Sequence, residues 1–353
     1  MSGPGVRLES LTALRWFAAL AVFACHAREL TASTPSSLAE MCADGGVTFF
    51  FVLSGFVLAW SWRPGTPVGT FYRRRFARVW PLLALGTLLA VPALGEAWST
   101  AWPGVVRNLL LLEAWLPGGP PAGNPVSWSL SCEAYFYALF PLLAACGLRL
   151  SRRSLAAVAV AAVAVAWVYR WLAFHLLEPM PTPVLVLVLR LPAYRITAFV
   201  LGVAAALAMR RGWRPRCGAP TALGLIACTL AAVWSGRVLG WWGHWWSDQA
   251  LAPGFALLIA AVAAGELRGR PQLGLRRRPF VLLGQWSFAF YLVHYPLLHL
   301  TARSLGIGPY GEAGYGLWPS ALLWLCWLAA GTALAALCHH AVERPAERLI
   351  RGR

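Results

Sequence analysis

Lysine is absent from this 353-residue chain, so all 30 of its basic residues are arginine. Acids are scarce, at 13, and charged residues of both signs make up only 12%, against 59% hydrophobic residues and a mean hydropathy of +0.61. A water-soluble fold cannot hide that much apolar surface, so the composition points to lipid as the solvent. The eight cysteines contain no CxxC pair, which argues against a zinc site or a disulfide framework and leaves them as small buried side chains. Internal repeats, low-complexity tracts and long soluble insertions are also lacking. Any chemistry must therefore be done inside an apolar bundle or at its mouths, in a single membrane domain over residues 1–353.

What is present is a series of apolar runs near the length needed to cross a bilayer. Ten are predicted: 10 to 27, 44 to 62, 79 to 95, 127 to 146, 154 to 175, 193 to 209, 219 to 238, 248 to 265, 280 to 301 and 316 to 339. The piece from 102 to 116 is apolar but brief, and is expected at the interface or as a re-entrant segment. The longest connections, 28 to 43 and 96 to 126, both fall on the outer side. The fold class is all-α, a polytopic membrane helical bundle. The first run could be mistaken for a signal peptide, and Val22-Phe23-Ala24-Cys25 for a lipoprotein cleavage box. Phe23 suits that box poorly and Arg15 interrupts the apolar core, so the run reads as an uncleaved first span.

Charge sets the orientation, because arginine-bearing loops stay on the cytosolic side. Alternate connections and tails hold 22 arginines, among them Arg73, Arg74, Arg75 and Arg78, while the opposite set holds six: Arg28, Arg107, Arg170, Arg190, Arg237 and Arg303. Both termini are thus expected in the cytosol. The same dispersal over many loops disfavours nucleic acid as a partner, since no single basic domain exists. The 20 tryptophans read as interfacial belts, with Trp241, Trp242, Trp245 and Trp246 in an outer loop as an alternative sugar-stacking platform.

Ionisable residues inside spans cost roughly 2.5 to 3.5 kcal/mol each to insert and are functional candidates by default. Arg15 and His26 are 11 residues apart, which on a helix is three turns plus roughly 20°, so they share a face about 16 Å apart. Ser129 and Glu133 lie one turn apart on the fourth span, with Glu133 expected near the depth of His26, where a carboxylate would orient the imidazole as a general base requires. Tyr291 and His294 reach a similar level on the ninth span. Arg75 and Arg78 sit at i and i+3 at the inner start of the third. Positive-inside charge alone accounts for that cluster. With Arg15, the pair could equally anchor a phosphate-bearing donor whose extended arm reaches toward His26.

These residues occur in segments that resemble acyltransferase family 3, a family of integral membrane enzymes that O-acylate glycans and some specialised metabolites. "LTALRWFAALAVFACHA" is similar to its first helix, with Arg15 and His26 separated by ten residues. "GVTFFFVLSGFVLAW" carries Ser54-Gly55-Phe56, and "FYRRRFARVWPL" the paired Arg75 and Arg78. "VSWSLSCEAYFYALFPLL" holds Ser129 and Glu133, "RITAFVLG" Arg195, and "LGQWSFAFYLVHYPLL" Tyr291 and His294, followed by Glu343-Arg344-Pro345. Two positions depart: Ala134 and Ala198 stand where relatives often carry an acid, and both bear on acceptor recognition.

The resemblance implies a multi-pass plasma-membrane enzyme that moves an acyl group, acetyl in the simplest case, from cytosolic acyl-CoA to a hydroxyl. The acceptor would be a surface or lipid-linked glycan or a hydroxylated metabolite. His26 and Glu133 would be catalytic, Arg15, Arg75 and Arg78 would bind the donor, Ser54, Ser129, Tyr291, His294 and Arg195 would serve substrate or structure, and no metal is required. Direct transfer and an acyl-enzyme route both remain open. The rival readings are a transporter or flippase, for which neither repeated halves nor paired broken helices are evident, and a non-enzymatic scaffold or sensor.

Overall fold

The computed structural model describes residues 8–31, 37–116, 123–177, 180–240, 246–307 and 316–351. In lipid every backbone N–H and C=O must be paired within the protein, and a helix does this within one segment. Among the described residues ten helical segments are long and apolar enough to cross a membrane. They are built from α1 (Glu9–Thr31), α2 (Ser37–Ser61), α3 (Val68–Leu94), α5 (Trp128–Gly147), α6 (Arg152–Leu176), α7 with α8 (Thr182–Arg190 and Pro192–Arg210), α9 (Ala219–Val238), α10 (Ser247–Leu267), α11 (Arg278–Ser304) and α12 (Leu317–Cys338), with the shorter α4 (Trp98–Leu109) between α3 and α5. A five-residue π-helical stretch, His339–Glu343, joins α12 to the short α13 (Arg344–Arg351).

Several boundaries differ from the sequence reading. The outer connection expected over 28 to 43 is largely helical, because α1 runs on to Thr31 and α2 starts at Ser37. The 96 to 126 connection contains α4, whose Ala101 and Val105 pack on Val91 of α3. The sixth span gains α7. Pro192 cannot donate and pushes Leu191 to extended backbone (ψ 122°), so the helix breaks there. Trp241, Trp242 and Trp245, like Arg7 and Arg353, lie outside the described residues. Of the cysteines expected to be buried, Cys146, Cys228 and Cys326 are exposed on outer helix faces, while Cys25, Cys132 and Cys338 are buried.

The spans differ in how deeply they sit in the bundle. α6, α9 and α12 are only 22% buried and face outward, whereas α1, α2, α10 and α11 form the interior at 61 to 67%. The inner helices carry ionisable groups that partners must meet, and α6, though it faces outward over most of its length, turns Arg170 into the interior. Small residues let the inner backbones meet. A methyl added at Gly55 of α2 would collide with the carbonyl of Phe199 on α8, and one at Gly202 of α8 with the carbonyl of Val52 on α2. Gly284 of α11 stands likewise against Thr12 of α1, and Gly46 of α2 against Ala18 of α1.

The arginine-rich connections gather at one end of the bundle and are tied to their neighbours. Arg210 donates to the carbonyls of Ala59 (2.7 Å) and Trp62 (2.9 Å), Arg211 to that of Leu148 (2.6 Å), and Arg276 pairs with Glu9 (3.5 Å). His26 lies toward the other end. Gly202→Val should remove the α2–α8 crossing and abolish monodisperse protein in detergent, or lower its melting temperature sharply. Gly224→Ala, in open space on α9, should leave both unchanged. Size-exclusion profiles and thermal melts of the two variants check this.

Candidate active site

Two polar cavities lie at different levels along α1. The one at the arginine-rich end, of about 350 Å³, is lined by Arg15, Ser54, Arg75, Arg78, Glu133 and Tyr137, among others. Arg15 comes from α1, Ser54 from α2, the two further arginines from α3, and Glu133 and Tyr137 from α5 one turn apart. Glu133 lines the cavity beside Tyr137 and Ser54 and faces the Arg15 charge. The Nε groups of Arg15 and Arg75 are buried without a hydrogen-bond partner. The Arg75 guanidinium lies 5.9 Å from the ring centres of both Phe71 and Tyr137.

Arg78 is placed differently from Arg75. Its guanidinium pairs with the buried Glu343 and, at 3.4 Å, with Glu347, clamping α3 to the segment after α12. Glu343 has a second partner in His339, whose Nδ1 is 2.9 Å away. Arg78 lines the cavity with its charge already met by carboxylates, which leaves Arg15 and Arg75 as the donors facing open space.

The second cavity, of about 390 Å³, is lined by His26, Trp128, Arg190, Arg195, Asp248 and Tyr291, among others. His26 Nδ1 lies 2.9 Å from Nε2 of His294. His294 is buried behind His26 on α11, with its Nδ1 2.8 Å from the Tyr291 carbonyl and 3.2 Å from that of Phe290. Arg195 forms a buried ion pair with Asp248 (2.6 Å), which also takes Arg170 (2.6 Å) and the Tyr194 hydroxyl (3.0 Å). The guanidinium groups of Arg190 and Arg195 lie 5.2 and 5.3 Å from the centre of the Trp128 ring.

Between the cavities stand Phe50, which lines the first, and Tyr291, which lines the second, with ring centres 5.9 Å apart and edge to face. The Tyr291 hydroxyl donates to the Val126 carbonyl (2.9 Å) and pairs with the Ser129 hydroxyl (2.9 Å). Ser129 therefore sits at the level of this wall. Glu133, one turn further along α5, falls on the arginine side of it. The expectation that Glu133 orients His26 is corrected here: Glu133 lines the Arg15 cavity, and the partner of His26 is His294. Residue spacing defines neither the depth nor the rotation of α5 closely enough to separate two levels one helical turn apart.

The start of α5 is held by a buried polar cluster centred on Glu113, which lies outside the ten spans. Glu113 is hydrogen-bonded to Asn108 and Ser127, while the Asn108 side-chain oxygen accepts from the Asn124 backbone (3.0 Å) and Thr87 (3.2 Å) and lies 2.7 Å from the Ser127 hydroxyl. Asn124 in turn donates to the Leu292 carbonyl (2.7 Å). That carbonyl lacks its usual helical donor because residue 296, four positions on, is proline. Sequence reasoning missed this cluster and Asp248, and it placed Tyr137 in the family-like segment around Glu133 without giving it a site role. Of these, Asp248 carries a readable signal, as an acid at the first position of an apolar run.

The fold and the paired cavities belong to a membrane acyltransferase. A family model described as an acyltransferase domain, that of acyltransferase family 3, matches residues 8–340, and the chain belongs to this family. The chain is 38% identical to the acyltransferase MdmB of Streptomyces mycarofaciens, over 98% of this chain and 93% of that protein. It is 27% identical to nodulation protein 10 of Rhizobium leguminosarum bv. viciae, over 86% and 82% respectively. No solved structure gives a significant match.

Burial pushes the Glu113 carboxyl up to about 7 from its ordinary 4.5. The folded state thus holds this proton more tightly than the unfolded chain. The resulting stability is fully present below 4.5 and is lost as pH rises through about 7, by roughly 3 kcal/mol at most. Glu113→Gln, which cannot ionise, should lack this loss. Its melting temperature relative to the parent protein should rise across that pH window, and a constant difference would show that Glu113 does not titrate there.

Proposed function

We propose that this protein transfers an acyl group, acetyl in the simplest case, from acyl-CoA to an acceptor hydroxyl. The donor enters from the arginine-rich end, which the positive-inside rule assigns to the cytosol. Arg15 and Arg75 contact its phosphates, the role for which a planar guanidinium with unpaired N–H groups is suited. Glu133, Ser54 and Tyr137 hold the Arg15 side of that cavity. The extended arm of the donor passes the wall of Phe50 and Tyr291 and brings the thioester to His26.

His26 takes the acceptor's hydroxyl proton as the oxygen attacks the thioester carbonyl. The new C–O bond forms, the C–S bond breaks, and the CoA thiolate leaves and takes up a proton. The acceptor is a surface or lipid-linked glycan or a hydroxylated metabolite, reaching His26 from the opposite end of the bundle in the plasma membrane. The observation that carries this reading is the placement of unpartnered arginine donors and a histidine in separate cavities along one helix.

Transfer from labelled acetyl-CoA in membranes expressing the chain tests it. His26→Ala should lose about 10² to 10⁴ in rate while remaining inserted, and normal turnover in that variant would overturn the reading. Arg15→Ala and Arg75→Ala should raise KM for acetyl-CoA by roughly tenfold or more, the worth of one charge-assisted contact. A reporter fused to the C-terminus should be active only in the cytosol.

A further inference from the structure

A neutral imidazole carries one proton, so one ring nitrogen donates and the other accepts. His294 Nδ1 faces the carbonyls of Tyr291 (2.8 Å) and Phe290 (3.2 Å). Carbonyl oxygens only accept, so Nδ1 of His294 bears the proton and its Nε2 is the acceptor. That Nε2 is 2.9 Å from Nδ1 of His26, which must then be the donor. The remaining nitrogen, Nε2 of His26, is left with a free lone pair.

The ring geometry agrees with this chain of bonds. The two imidazole planes differ by 20° and their centres are 5.2 Å apart, so the rings meet edge to edge with room for an N–H···N bond between them. His26 lines the cavity and His294 does not. The Tyr295 ring, 5.0 Å away and nearly perpendicular, supports the other side of the His26 ring.

We infer that His294 is a positioning residue that fixes His26 in its Nδ1–H tautomer and presents Nε2, unprotonated, to the acceptor. This rests on the general-base reading of His26 given above. During transfer the proton from the acceptor hydroxyl goes to Nε2 of His26. The imidazolium so formed keeps its Nδ1–H bond to His294, which stays neutral, until the proton passes to the departing thiolate.

Two measurements test the inference. The first uses the unmodified protein with ¹⁵N-labelled histidine in detergent, and reads the tautomer from ring-nitrogen shifts without any turnover. The seven histidines are assigned by the signals lost in His26→Gln and His294→Phe. His26 should appear as the Nδ1–H tautomer, and finding it as Nε2–H would overturn the inference. The second compares kinetics. His294→Phe keeps a ring but loses the acceptor, and should lower kcat on the order of 10- to 100-fold with KM for acetyl-CoA unchanged. His294→Gln, whose side-chain oxygen can take the place of Nε2, should recover much of that loss. If His294→Phe turns over normally while His26→Ala is dead, the positioning role is wrong and the base stands. If His26→Ala is active, the reading beneath it has failed.

Discussion

The ion pairs of Asp248 with Arg170 and Arg195 are the interaction on which the interior depends. Arg170 comes from α6, Arg195 from α8 and Asp248 from α10, and all three side chains are buried. A guanidinium in a lipid-immersed bundle is tolerated where acceptors meet it, and removing one partner of a buried pair leaves an uncompensated charge worth about 3 to 5 kcal/mol. Arg195 also donates through Nε to the Leu189 carbonyl (2.8 Å), beside the break between α7 and α8. One carboxylate thus holds three helices and the irregular turn that carries Arg190 to the wall of the His26 cavity.

The same constraint sorts the remaining arginines. Arg78 meets Glu343 and Glu347, and Arg210 meets two carbonyls at the end of α2. Arg15 and Arg75 differ in that each lines a cavity with a buried Nε that lacks a partner and with no ion pair of the kind that ties Arg170 to Asp248. Unmet donors of this kind are costly to retain, and their convergence on one cavity is the feature that a purely topological role for the cluster leaves unexplained. The close crossings at Gly46 and Gly284 put α2 and α11 directly against α1, so that side chains from both can reach the two levels marked by Arg15 and His26.

Much of this architecture is legible in the sequence. The spans follow from apolar length, the arginine-rich end from charge alternation, and the shared face of Arg15 and His26 from helical spacing. Contacts between helices are not legible, because periodicity gives the face of one helix but not its depth against another. Spacing therefore puts Glu133 beside His26, when one turn of α5 separates their levels. It puts His294 at the right depth, yet the bond to His26 depends on how closely α11 packs on α1. The polar cluster around Glu113 escapes because its members are spread over several segments and no spacing connects them.

A histidine base oriented by a carboxylate is the common arrangement in water-soluble enzymes, and the sequence invites that reading here through Glu133. Within a membrane the arrangement has a cost. A carboxylate hydrogen-bonded to His26 would add a further ionisable group to a cavity already lined by Asp44, Asp248, Arg190 and Arg195, at roughly 2.5 to 3.5 kcal/mol on insertion scales, and would favour the protonated imidazole, which cannot act as a base. A neutral His294, anchored by backbone carbonyls of its own helix, fixes the tautomer without adding charge. The carboxylate is placed instead one turn lower, where Arg15 offsets it. On the proposed reading, this division gives the arginine-rich end a polyanionic donor to hold and leaves the His26–His294 pair itself uncharged until the proton arrives.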